Sequence, residues 1–104
     1  MRDPVSTSIS TIIRVVAEAH SINPTEFKRR DRRQHFCHAR HMVIYCLRYH
    51  FPKLTLAEIG SIFGRHHSAI INSLWSHQRL LTHDIFYRQR YHEAQAHLTQ
   101  LAEL

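Results

Sequence analysis

Glycine and proline are scarce in this chain, with two glycines, Gly60 and Gly64, and three prolines in 104 residues. A many-stranded β fold needs many more turn formers, so the scarcity points to an all-α domain. It also excludes a phosphate-cradling loop, which requires two glycines followed by Lys-Ser or Lys-Thr. The two lysines, Lys28 and Lys53, stand in no such setting. No nucleotide, no cofactor and no ATP hydrolysis are therefore expected. Long apolar runs are missing too. None approaches the roughly 20 residues of a membrane span, and the polar start with Asp3 does not read as a signal peptide. Cysteine is limited to Cys37 and Cys46. Nine residues apart on one expected helix, they sit about 13 Å apart along its axis, whereas a disulfide needs Cα atoms within about 7 Å. Free thiols suit a reducing cytoplasm, and a cytoplasmic, nucleoid-associated location is expected.

What is abundant is arginine. The formal charge is +6 with histidines neutral, and arginines supply twelve of the fourteen basic residues. Arginine forks onto phosphates and guanine edges where lysine acts as a point charge. This balance favours a polyanion partner over a soluble basic surface with no partner.

The length suits one domain with one modest core. The expected architecture is a single small helical domain over residues 1–104, with about five to six helices. Residues 1–5 read as a loose start. A first helix is expected from Ser6 to His20, burying Ile9, Ile12, Ile13, Val16 and Ala17. Asn23-Pro24-Thr25-Glu26 reads as a second helix start, with Asn23 as cap, opening a short helix that carries Phe27. Five cations in the six residues from Lys28 to Arg33 read either as a solvated loop or as an arm for phosphates and a minor groove. The next helix is expected from Gln34 to Phe51, ended by Pro52. Phe36, Ala39, Val43, Cys46, Leu47 and His50 should face the core, with Arg40, His41, Ile44 and Arg48 lying elsewhere. A last helix is expected over 84–103. Its Tyr87, Tyr91, Ala94, Leu98 and Leu101 form a two-heptad seam, which suits packing on the domain's own core or a homodimer interface.

Residues 55–81 carry the strongest local pattern. Thr55 and Glu58 have the Thr-x-x-Glu spacing of a capping box, followed by Leu56, Ile59, Ile62 and Phe63 at helical spacing. Gly64 sits where a helix ends in a left-handed residue. After Arg65-His66-His67, Ser68 is expected to cap a second helix whose Ile70, Ile71 and Leu74 form an apolar stripe. Two short helices around a Gly-containing turn, the second with a polar leading end, match a DNA-reading helix-turn-helix. They match an ordinary helical hairpin as well.

Further residues extend this pattern. From about Ile9 to Leu98 the chain resembles the C-terminal DNA-binding domain of the bacterial replication initiator DnaA. The pieces occur in the family's order. Val16-Ala17-Glu18 in the first helix comes first, then a basic stretch and Ala39-Arg40-His41-Met42. Leu56-Ala57-Glu58-Ile59-Gly60 and Phe63-Gly64 follow. The family's Gly-Arg-Asp-His-Thr-Thr-Val signature is matched by Gly64-Arg65-His66-His67-Ser68-Ala69-Ile70. The resemblance implies a recognition helix opening at this signature, with base contacts from His66, His67, Ser68 and Ala69. It implies a minor-groove arm at Arg32 and Arg33, and phosphate contacts from Arg30, Arg40, His41, Lys53, Thr55 and Arg65. His66 stands where the family has Asp, and Ala69 where it has Thr, so a different or relaxed target is expected. The initiator's nucleotide-binding module has no counterpart in these residues. A stand-alone reader of double-stranded DNA is therefore expected, acting as a regulator of transcription or replication and not as an enzyme.

Two other readings compete. A protein-interaction module would use the same basic face on an acidic replication or transcription partner. A single-strand binder would expose aromatics on that face, but Phe36, Phe63 and Phe86 fall at apolar-stripe or helix-end positions and Trp75 follows Leu74. Eleven histidines raise the question of metal, and His35, His38 and His41 recur three apart near Cys37. No paired CxxC or HExxH accompanies them, so no metal site is assigned and polar contact with DNA is the expected role.

Overall fold

The computed structural model describes residues 8–28 and 33–102, and these form an all-α domain. Five α-helices run in the order α1 (Ile9–Ala19), α2 (Gln34–His50), α3 (Leu56–Phe63), α4 (His67–His83) and α5 (Ile85–Ala102). A 3-10 helix at Pro24–Lys28 lies between the first two. The expected loose start at 1–5, and Arg30 and Arg32 of the basic stretch, lie outside the described residues.

Ser8 caps α1, its Oγ accepting from the Thr11 backbone N–H at 3.2 Å. The helix buries Ile12, Val15, Val16 and Ala17. It ends in a Schellman turn. Ser21 takes the left-handed conformation (φ 58°), and the Ile22 and Ser21 amides donate to the Ala17 and Glu18 carbonyls. Asn23 Oδ1 then accepts from the Thr25 amide at 2.9 Å. The turn it starts is a single 3-10 segment, which sets Phe27 edge-to-face on Phe63 of α3, ring centroids 6.2 Å apart. That contact ties the base of the basic stretch to the helix pair.

Helix α2 is the hub, packed against α1, α3 and α4. This corrects the one-face expectation. Ile44 is fully buried and Arg40 only 7% exposed, whereas His50, expected in the core, is half-buried. A helix covered on several sides needs apolar residues beyond a single stripe. Arg48 Nη1 donates to the carbonyls of Pro52 (3.2 Å) and Leu54 (2.7 Å), clamping the link to α3.

The α5 seam turns inward. Tyr87, Ala94 and Leu98 are buried, Tyr91 and Leu101 half-buried, and the helix packs on α1 and α4. Asp84 Oδ1 accepts from the Tyr87 amide at 2.9 Å, and Arg88 donates to the Leu81 and Thr82 carbonyls. These bonds fix the α4–α5 corner. At the junction of α2, α4 and α5 lies His77, fully buried. It bonds Tyr87 Oη through Nδ1 at 2.6 Å and stacks on Tyr45 with centroids 4.1 Å apart.

Burial alone holds His77 down to about 4, and burial, reinforced by the charges of Arg90 and Arg40 respectively, does the same to His20 and His41. The unfolded chain takes up these protons near pH 6.5. Stability should therefore be complete above that pH and fall as pH drops from 6.5 toward 4, by up to about 1.4 kcal/mol per pH unit for each histidine. Thermal melts from pH 7.5 to 5 should show this loss. His77→Gln should melt lower at pH 7.5 but lose less on acidification. An equal slope in that variant would remove His77 from the account.

Candidate nucleic-acid interface

The helix pair is set by backbone chemistry at both ends of α3. At the start, Thr55 Oγ1 accepts from the Glu58 amide at 3.0 Å and Glu58 Oε1 accepts from the Thr55 amide at 2.8 Å, the reciprocal capping box. At the end, Gly64 is left-handed (φ 65°, ψ 38°), and the Arg65 amide reaches back to the Gly60 carbonyl at 2.8 Å. Gly60 is helical, so its reason is space: a Cβ there would run into the Arg65 carbonyl oxygen. Ile59, Phe63 and Ile70 are buried beneath the turn and hold α4 at a fixed angle to α3.

The start of α4 corrects one expectation. Ser68 is not the cap. His66 is, with extended backbone (φ −71°, ψ 153°) and Nδ1 accepting from the Ser68 amide at 3.2 Å. The same Nδ1 lies 3.0 Å from Ser68 Oγ. An imidazole nitrogen can cap as a carboxylate does, provided it carries no proton. Accepting from the amide leaves the His66 Nε2–H as a donor at the helix tip. Ser68, donating to Nδ1, keeps its oxygen lone pairs for another partner. His67 stacks obliquely beside His66, centroids 4.2 Å apart. His66, His67 and Ser68 are all exposed, while Ala69 is half-buried.

Of the expected phosphate contacts, Lys53 and Thr55 are exposed and Arg65 is half-buried. Arg33, expected in the arm, is exposed at the start of α2, its guanidinium 4.7 Å from the Phe36 ring centroid. Arg40 and His41 lie deeper. Arg40 is buried with Nη2 3.4 Å from Cys37 Sγ, and His41 Nδ1 bonds Ser73 Oγ at 3.0 Å, bridging α2 to α4. Arg40 is thus drawn against its own helix and His41 toward α4. The histidines divide the same way. His20, His41 and His77 are held largely within the fold, whereas His66 and His67 stand at the tip of α4. Among the described residues no group of three or more His, Cys, Asp or Glu could hold a metal ion. Burial pushes the Cys46 thiol up to about 12, which leaves it protonated and inert.

The outer face of α4 carries residues that sequence reasoning passed over. Asn72, Trp75 and Arg79 are exposed, and so is Ile71, expected in the apolar stripe. Trp75 is 73% exposed and Phe86 65%, against the expectation that both are hidden. The α4 register held the signal, since 72, 75 and 79 follow Ser68 at four, seven and eleven residues.

A capped helix, a left-handed glycine turn and a second helix offering polar side chains at its tip form a helix-turn-helix. The family model described as the bacterial dnaA protein helix-turn-helix matches residues 9–75. The chain belongs to this DnaA helix-turn-helix family. The match runs from α1 to the middle of α4 and so takes in the whole α3–turn–α4 unit. The DnaA family's helix-turn-helix is a DNA-binding element, not a catalytic one, and membership implies binding of double-stranded DNA. No curated protein matches the chain. No described helix is long and apolar enough to cross a membrane. In DnaA terms, the signature Gly64–Ile70 spans the left-handed turn, the cap and the first residues of α4.

The cap makes a checkable statement. His66→Ala should destabilise the domain by about 1 kcal/mol, and His66→Asp, a stronger cap bearing the favoured charge for a helix start, should recover or exceed the original stability. Urea unfolding at pH 7.5 measures both. Gly60→Ala should lose more, ~1–3 kcal/mol, because backbone must move to admit the methyl group. A neutral Gly60→Ala would show that the turn is slack.

Proposed function

We propose that the chain is a sequence-specific reader of duplex DNA that places the tip of α4 in the major groove and regulates transcription or replication without ATPase activity. The observation that carries this reading is the exposed trio His66, His67 and Ser68 at the start of a helix whose angle is fixed by the Gly60–Gly64 turn. His67 offers a ring nitrogen to a base edge. Ser68 offers an acceptor, with its hydrogen engaged by His66. The His66 Nε2–H suits a guanine O6 or N7, or a phosphate oxygen. The methyl of Ala69 suits the thymine C5-methyl group. Lys53, Thr55 and Arg65 serve as phosphate contacts. Arg33, with Arg32, serves as an arm toward a minor groove, where arginine is favoured by the enhanced negative potential, and Arg30 beside them as a further phosphate contact. His41 acts behind this surface, joining α2 to α4 through Ser73.

The absence of the family's Asp at position 66 supports a target other than the usual one. A carboxylate accepts from the cytosine amino group, whereas the outward His66 nitrogen donates. The net charge of +6 supplies a sequence-independent attraction to any duplex, so affinity without selectivity does not establish a reader.

Selection from a random duplex library should yield one defined motif, and anisotropy titration should separate it from a scrambled duplex at two salt concentrations. His67→Ala should narrow that gap by ~1–3 kcal/mol, while Lys53→Ala should weaken all duplexes alike and lower the salt slope by about one. No enriched motif, with binding that vanishes as salt rises, would replace the duplex reader with a module for an acidic protein partner.

A further inference from the structure

We infer that Trp75 is a DNA-contacting, specificity-determining residue, its indole entering the same groove as Ser68 and setting preference at base pairs beyond the reach of the signature residues. The inference rests on the duplex-reading assignment and extends it along α4.

Register places Trp75 in line with Ser68. At 100° per residue it falls about 20° from Ser68 around the helix and about 10 Å further along the axis. Asn72 lies between them along the axis, about 40° to the other side of Ser68, and Arg79 continues the line about 20° to that side. Ser68, Asn72, Trp75 and Arg79 are all exposed, whereas Ile70, Ser73 and His77 on the opposite side are buried. Trp75 therefore sits near the centre of the free face. Helical side chains lean toward the N-terminus of their helix, so the indole covers the turn before its own Cα, on the Ser68 side. A stretch of about 10 Å fits within a major groove about 12 Å wide.

The chemistry favours DNA as what covers this face. An indole offers a broad apolar surface and one N–H donor, with no acceptor and no charge. Thymine methyl groups and deoxyribose edges match the apolar surface, and base acceptors or phosphate oxygens match the N–H. Asn72 carries the donor and acceptor that pair with an adenine edge. Helix α4 contains no acidic residue to repel a polyanion, and Arg79 closes the line with a cation. Solvent exposure of an indole at 73% leaves a large apolar surface uncovered in the free protein. The face is continuous with the signature residues, so the occupant that reaches Ser68 reaches Trp75 too.

The chain has a single tryptophan, so its intrinsic emission reports this site alone. The full chain is titrated with its selected duplex and with a scrambled duplex, following emission and anisotropy together. The emission change is expected to saturate in step with anisotropy, with protection from acrylamide quenching. Trp75→Ala is expected to bind the selected duplex about tenfold more weakly and the scrambled duplex less than about twofold more weakly, with an unchanged melting temperature, and Trp75→Phe to recover part of the loss. Selective binding with unmoved emission and an unaffected Trp75→Ala would overturn the inference and leave the duplex reader standing. A wild type without any sequence preference would overturn the duplex reader, and this inference with it. Emission that shifts with protein concentration in the absence of DNA, together with self-association lost in Trp75→Ala, would give the face to a second copy of the chain and overturn the inference.

Discussion

The direction in which α4 points depends on one close backbone approach, that of Arg65 to Gly60. The Arg65 amide closes the end of α3 on the Gly60 carbonyl, and the Arg65 carbonyl fills the space a side chain at Gly60 would occupy. Gly64 supplies the left-handed residue that lets the chain reverse at once. With the only two glycines spent here, the rest of the domain has to turn without them. It does so through a left-handed Ser21, an Asn23 side-chain turn and the Arg48 and Arg88 clamps. A non-glycine residue in the left-handed region costs of order 1 kcal/mol, and the domain accepts that at Ser21 while keeping glycine where the helix pair needs it.

Beneath the turn, polar groups do structural work unusual for so small a core. His41 joins α2 to α4 through Ser73, and His77 joins α4 to α5 through Tyr87 while stacking on Tyr45 of α2. Each bond orients one helix against the next, which apolar contact alone does only loosely. The arrangement depends on neutral imidazole. A protonated His77 would carry an N–H on both ring nitrogens and bury a charge, with no hydrogen-bond partner for Nε2 among the described residues. His66 and His67, by contrast, stand exposed at the tip of α4. The same residue type thus serves as internal glue in one layer and as exposed polar contact in another.

Much of this was legible from the residues. Thr55 and Glu58 at capping-box spacing, and Gly64 after an apolar helix, located the helix pair because caps are local chemistry that a short window contains. The α5 seam was legible as a seam, but not its partner, because Tyr87 and Leu98 look the same whether they meet α1 or a second chain. Arg40, His41 and Ile44 were misplaced because periodicity describes one buried stripe, and α2 is covered on several sides. Trp75 was misplaced for the opposite reason. A large apolar residue beside Leu74 reads as core, yet the α4 register carries it to the same side as Ser68. His66 escaped recognition as a cap because imidazole rarely competes with Ser, Thr, Asp or Asn for that position.

The exchange at position 66 links the stability of α4 to its reading chemistry. An Asp at this position would use one carboxylate, an acceptor, for the cap and for any base contact. With His66 the inward nitrogen accepts from the Ser68 amide, so the outward nitrogen must donate. In the duplex reading, the element that starts the helix then presents the opposite hydrogen-bonding sense to the groove. Position 69 likewise keeps a methyl and loses a hydroxyl. The leading edge of α4 therefore carries fewer acceptors than the family signature would supply, while Asn72 stands exposed one turn further on with both a donor and an acceptor. Sequence discrimination in such a helix has physical reason to move downstream, away from the signature and toward the middle of α4.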